Sequence, residues 1–454
     1  MRIFVLFLTY YGCAIYGYFN PVFGVLFFVH ITVLRPESLV WGNLVFGRLH
    51  LITAGLSLAG YLIHRQTLER QSEIQGKYQT RYVFLFLTYI VWLYVVTFLA
   101  EASFDRSLEK ALDMTKIFAL CFLLSKTLTT KERFEHYIWV TAVSFGLLGF
   151  WGFLQGVSGN FRLDDLWPGG SSQISAALVL VIPLILARAM DPRLAKMLKF
   201  VLIGCAIAIV LCLMYTSSRG GFLGLVGAGG MFFLLMRQRT KALIFAAAVA
   251  AAVIIWQPAS YQERISTIFV PEEQRDASSQ SRVVLWSIAL RIWQDHMIAG
   301  VGLNNFSAIK ETYVDKVSDL VQDPVMYDII FGKERLPHGV YTGMLAESGL
   351  VGLMLFLCIV LRGLVFQVPS VFGADERFRN LHFQMRGAQA GIVGFLIASL
   401  FADLQYIEFF YVHLFFVGAL RAYAYRVGEL AHENGTPIMT PESQTVLQLA
   451  QEPS

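Results

Sequence analysis

Charge is what this sequence has least of. Only 15% of its 454 residues are Asp, Glu, Lys or Arg, against roughly a quarter in soluble domains. At the same time 56% are hydrophobic and the mean hydropathy is +0.58. That balance excludes an ordinary soluble enzyme and reads as an all-α polytopic membrane protein. The formal net charge of +4 is too small to argue for nucleic acid, and no nucleic-acid partner is expected; the excess fits cytoplasmic loops. The five cysteines, Cys13, Cys121, Cys205, Cys212 and Cys358, all sit inside apolar runs. Neither a disulfide framework nor a Cys/His metal site can be built from them. A P-loop, a GxGxxG turn after a strand, an HExxH helix and a DxD-type pair are also missing. Nucleotide and metal chemistry therefore have no visible seat, and no cofactor is expected. No internal repeat is seen either, which weighs against an inverted-repeat transporter.

What the chain does have is long apolar runs. They can be read at about 3–18, 21–34, 49–63, 82–100, 111–125, 137–157, 173–190, 200–216, 221–236, 242–256, 339–365, 387–402 and 406–424. Arg2 and the run after it resemble a signal peptide, but no small-residue cleavage site follows, so the first run reads as a retained span. Basic residues cluster in alternate loops: Arg65/Arg70/Lys77/Arg81, Lys126/Lys131/Arg133, Arg188/Arg193/Lys196/Lys199, Arg237/Arg239/Lys241 and Arg377/Arg379/Arg386. The positive-inside rule places these loops in the cytoplasm and the long polar stretch after Trp256 in the periplasm. Between 257 and 337 that stretch carries 8 Lys/Arg against 11 Asp/Glu, which agrees. Parity then requires one of the first three runs to be a half-span or re-entrant piece, or the N-terminus to lie outside. The proline-bearing breaks Phe19-Asn20-Pro21 and Arg35-Pro36-Glu37 are the places for it.

The expected architecture is about 12 transmembrane helices with both termini cytoplasmic and one large periplasmic loop containing helices. Residues 1–256 would form the N-terminal helix bundle, 257–337 the loop, 338–424 the C-terminal spans and 425–454 a mobile cytoplasmic tail rich in Gly, Pro, Ser and Gln.

A few residues in this apolar setting could carry chemistry. Arg219 lies between two apolar runs, before glycines at 220, 221, 224, 227, 229 and 230 that give a small-residue face for close helix packing. An arginine at that depth should face a cavity or an anion, or else snorkel to a loop. Arg282 follows the serines 278, 279 and 281, which can cap a helix. Residues 283–293 carry an apolar stripe at helical spacing, which puts Arg282 in a first turn where free N–H groups and the dipole favour an anion. A guanidinium suits phosphate there, although a surface arginine on a membrane-lying helix reads the same way. His338 opens the next span at a helix N-terminus, where the dipole keeps imidazole neutral and able to accept a proton, or where it merely hydrogen-bonds at the interface. Lys333 and Arg335 add positive charge beside it, as near a phosphate or near lipid headgroups. Glu347, Asp403, Glu408 and Asp164/Asp165 are the acids in or beside spans, and none has a spacing that defines a carboxylate pair.

These pieces resemble a family. Ser218-Arg219-Gly220-Gly221-Phe222-Leu223-Gly224 is similar to the arginine-glycine signature of the O-antigen ligase/polymerase superfamily. Ser281-Arg282-Val283-Val284-Leu285-Trp286 and Ala299-Gly300-Val301-Gly302-Leu303-Asn304-Asn305-Phe306 resemble its outer-loop elements, and the stretch from His338 to Glu347-Ser348-Gly349 its histidine segment. Four short pieces in the family's order, over roughly 200–365, make a fairly specific signal. The ligase (WaaL-type) branch is the nearest in look. Asn20-Pro21-Val22-Phe23-Gly24 with Leu34–Gly42 also resembles ligases found with exosortase systems.

The resemblance implies transfer of a glycan from undecaprenyl diphosphate to an acceptor hydroxyl on the periplasmic face of the bacterial inner membrane. The acceptor would be lipid A–core, a protein or an exopolysaccharide. Arg219 and Arg282 would hold the diphosphate, with Lys333 and Arg335 adding substrate-binding charge, and His338 would be the general base. A single in-line displacement would invert the anomeric centre without metal or nucleotide. An O-antigen polymerase is the alternative within the superfamily; a lipid-linked glycan transporter is the alternative outside it.

Overall fold

A computed structural model describes residues 2–36, 49–74, 77–159, 170–235, 277–317, 321, 324–332, 335–364, 368 and 376–433. Everything regular in them is helical. The described helices of eight residues or more are α1 (Arg2–Phe19), α2 (Pro21–Leu34), α3 (Leu49–Arg70), α4 (Lys77–Phe98), α5 (Phe104–Thr127), α6 (Lys131–Val157), α7 (Gly170–Ala189), α8 (Lys196–Tyr215) and α9 (Arg219–Leu235). They continue with α10 (Ala277–Asp295), α11 (Pro324–Phe331), α12 (Val340–Leu364), α13 (Glu376–Ala398) and α14 (Glu408–Glu433). Four of them, α6, α7, α8 and α12, are long and apolar enough to cross a membrane. The chain is a membrane protein. The expected span at 242–256, the first part of the loop, Asp164/Asp165 and the tail from 434 fall outside the described residues.

Local chemistry sets the helix starts. Asn20 Oδ1 accepts from Phe23 N at 3.1 Å, with Pro21 at the first helical position of α2. Ser103, Thr130 and Ser218 cap α5, α6 and α9 through the N–H groups of Arg106, Arg133 and Gly221. At 14 residues, α2 spans only about 21 Å, short of the ~30 Å hydrocarbon core. The proline break at Asn20 thus makes α1 and α2 a hairpin, which packs through Gly17 and Gly24 on Ser57 of α3.

The main core draws on α2 to α9 and on α12 to α14, and within it α7 and α9 pack on α13. Gly224 faces the carbonyl of Gly394 and the methyl of Ala398, while Gly220 faces Ala398 and Phe401. The small-residue face of α9 thus works at Gly220, Gly221, Gly224 and Gly227, whereas Gly229 and Gly230 have no neighbour among the described residues close enough to require glycine. Antiparallel running brings the N-terminal ends of α7 and α9 beside the C-terminal end of α13. Lys131, Arg133, Arg188, Arg193 and Lys196 lie at the opposite ends of α6, α7 and α8. There Arg188 bridges Asp191 (2.6 Å) and Glu135 (3.4 Å).

Residues 277–332 make a small core of their own. The stripe expected over 283–293 is real: Val284, Leu285, Ile288, Ala289 and Ile292 of α10 bury together with Val301, Phe306, Tyr313 and Ile330. Lys316 and the Tyr313 hydroxyl grip Asp295 at 2.6 and 2.8 Å and hold its carboxyl below the usual carboxylate range. This subdomain is docked on the bundle by backbone hydrogen bonds. Val301 N donates to Ala346 O (2.9 Å), Gly302 N to Glu347 O (3.1 Å) and Leu350 N to Met297 O (2.9 Å).

The docking needs Gly349, whose φ of 68° breaks α12 and brings its Cα against Ile298 O, where a Cβ would overlap. Gly349→Ala is therefore expected to lower the melting temperature of the detergent-solubilised protein, by about 1–3 kcal/mol of stability. An unchanged melting curve would remove this contact as the anchor.

Candidate functional site

One pocket joins residues that lie far apart in the chain. Arg219, at the start of α9, and Arg282, on α10, line the same cavity of about 50 Å³. Ser171, Ser172, Ser217, Ser218, Gly220, Gly221, Ala398, Phe401 and Ala402 line it with them. Among the described residues the lining holds two guanidinium groups and four hydroxyls and no carboxylate. Such a set is complementary to an anion with several oxygens.

Arg282 does not sit where the serine cluster placed it. The helix begins at Ala277, so Ser278 and Ser279 are inside it and Arg282 is in its second turn, past the free N–H groups. It reaches the anion pocket as a side chain, without help from the dipole of α10.

His338 adjoins this pocket. Its backbone takes the left-handed conformation, φ 55°, two residues before α12 begins. That turn is held by three contacts. His338 N donates to Asp403 Oδ2 at 3.1 Å, and His338 Nδ1 lies 3.2 Å from the same oxygen. Trp286 Nε1 donates to His338 O at 3.4 Å. Asp403 follows the pocket residues Phe401 and Ala402, and Trp286 lies one helical turn beyond Arg282, its ring 6.3 Å from that of Phe401. The Asp403 side chain is 8% exposed and the His338 side chain 33%, so the carboxylate is sheltered while the ring remains reachable. A neutral imidazole that donates Nδ1–H to Asp403 keeps its lone pair on Nε2, the form that a general base requires.

Two of these partners were missed in the sequence. Asp403 stood among the acids with no pair, because 65 residues separate it from His338. Trp286 stood only within the Ser281–Trp286 piece with no role of its own, although its i, i+4 relation to Arg282 is readable. Glu347 serves a different purpose. Buried on α12, it accepts from Phe306 N (3.4 Å) and the Tyr406 hydroxyl (3.3 Å), and so pins the 301–306 turn to the bundle. Arg335 is half-buried three residues before His338 and does not line the pocket. Lys333 lies outside the described residues.

Residues 201–357, which contain Arg219, Arg282 and His338, match the family described as O-antigen ligase. Over this segment the chain is similar to the O-antigen ligase superfamily. Residues 1–191 match a family of unknown function, and no curated protein matches the chain. The ligase segment covers α9, α10 and most of α12, whereas Asp403 on one side and Ser171/Ser172 on the other complete the site from outside it.

Proposed function

We propose that this protein transfers a glycan from undecaprenyl diphosphate to an acceptor hydroxyl, that of lipid A–core in lipopolysaccharide, as an O-antigen ligase of the WaaL type. The observation that carries this reading is the convergence of Arg219 and Arg282 in one anion-suited pocket beside the His338–Asp403 pair. A diphosphate is already an activated leaving group, so the protein has to position it, neutralise it and deprotonate the nucleophile. His338 Nε2 takes the proton of the acceptor hydroxyl as its oxygen bonds to the anomeric carbon. The carbon–oxygen bond to the diphosphate breaks with inversion, and the electron pair leaves on undecaprenyl diphosphate, facing the two guanidinium groups.

The bundle is read as about 12 spans, with the pocket end periplasmic in the inner membrane and the basic helix ends cytoplasmic. Units 1–256, 257–337, 338–424 and 425–454 are the corresponding divisions. The 277–332 subdomain, docked on α12, would cover the reacting atoms in this reading.

The test is reconstitution of the purified protein with lipid-linked glycan and rough lipopolysaccharide, with chelator and without nucleotide. Larger glycolipid supports a metal-independent ligase. Chains that lengthen on the lipid carrier would make it the polymerase of the same superfamily, and no product at all would sink the assignment.

Asp403 is expected to act through His338. Asp403→Asn can still accept both bonds but carries no charge, and should lower kcat about tenfold. Asp403→Leu removes both acceptors and should cost about a hundredfold or more, with the donor KM little changed. Wild-type kcat in the leucine variant would detach Asp403 from the reaction.

A further inference from the structure

The arginines are only part of the pocket. Ser171 and Ser172 come from the first turn of α7, a helix that lies within the 1–191 match to a family of unknown function. Both line the same cavity as Arg219 and Arg282. Ser171 is buried and Ser172 half-buried, and the Ser172 hydroxyl makes no hydrogen bond within the described part of the molecule. The turn that carries them is fixed from two sides. Gly221 of α9 packs so closely on Ser175 that a Cβ there would lie 2.6 Å from the serine Cβ. Gln173 Nε2 donates at 3.3 Å to the carbonyl of Asp403, the residue that holds His338. The first turn of α7 is thus tied both to the arginine wall and to the base.

We propose that Ser171 and Ser172 bind the diphosphate of the donor together with Arg219 and Arg282, so that the region of unknown function supplies part of the donor seat. This rests on reading the pocket as a diphosphate site. Two guanidinium groups neutralise an anion of any shape. Hydroxyls add short, directional donors to individual phosphoryl oxygens, and a hydrogen bond to a charged group is stronger than one between neutral partners. With donors coming from three helices, α7, α9 and α10, the seat suits two linked phosphoryl groups better than one.

The experiment is equilibrium binding of polyprenyl diphosphate and polyprenyl monophosphate to the full-length protein in lipid nanodiscs, without acceptor. Wild-type protein is expected to prefer the diphosphate. Ser172→Ala should weaken diphosphate binding about tenfold, the double variant with Ser171→Ala more, and monophosphate binding should fall less. Ser172→Thr, which restores a hydroxyl at the half-buried position, should recover most of the affinity, and melting curves check that each variant folds. Diphosphate binding at wild-type strength in folded Ser172→Ala and in the folded double variant would overturn the serine assignment and leave the arginine reading standing. Failure of the wild-type protein to bind polyprenyl diphosphate would overturn both.

Discussion

His338→Ala is expected to abolish glycan transfer while the protein still inserts and folds. General-base catalysis is worth about 10²–10⁴-fold, and here the replaced ring is the group at the pocket edge that can take a proton from a hydroxyl. Among the described residues its surroundings offer no substitute. Asp403, the carboxylate that holds it, accepts both the backbone N–H of His338 and its Nδ1 side, and its side chain is 8% exposed against 33% for the histidine. The histidine is therefore the member of the pair that a substrate reaches. The variant should remain stable, because the left-handed turn at 338 is held through main-chain atoms: the N–H on Asp403 and the carbonyl on Trp286. Transfer should be followed as glycolipid formed, with binding of the lipid-linked donor measured alongside. Lost transfer with donor binding intact is the expected pattern. Normal transfer by the inserted variant would remove His338 from the mechanism.

Arg282→Lys should lose about 10–100-fold in transfer although the charge is kept. The side chain reaches the pocket from the second turn of α10, so the dipole of that helix does not compensate for a poorer fit. A guanidinium presents a planar fork to two phosphoryl oxygens at once, whereas an ammonium acts as a point charge on a flexible stem. The loss should appear in kcat more than in donor KM, because charge on the leaving diphosphate grows in the transition state. Arg282→Ala should be worse still. Full activity in the lysine variant would reduce Arg282 to a general electrostatic role.

The two expectations concern different ends of one helix turn. Arg282 enters the pocket, and Trp286, four residues on, holds the His338 carbonyl. Leaving-group clamp and base are therefore set by the same segment of α10, and α10 is in turn seated by the Val301–Ala346 and Gly302–Glu347 hydrogen bonds of its subdomain.

By itself the sequence determined the membrane class, the helical architecture and the short list of polar residues worth weighing. The reason is that a bilayer leaves few options: apolar runs must be helices, and a charged group at depth must have a use. It also carried the α10 stripe and the break at Asn20, because periodicity and proline act through neighbours in the chain.

Only the tertiary structure decided what meets what. Sixty or more residues separate Arg219 from Arg282 and His338 from Asp403, and no local rule relates them. Ser171 and Ser172 look like any polar helix start until the close packing of Gly221 on Ser175 brings their turn beside Arg219. The true start of α10 lay beyond local reading too, since a serine run caps or continues a helix according to what the helix packs against, and here it continues from Ala277. Contacts across the bundle are fixed by which faces can approach, and in this protein small residues on α9 and α13 set that approach.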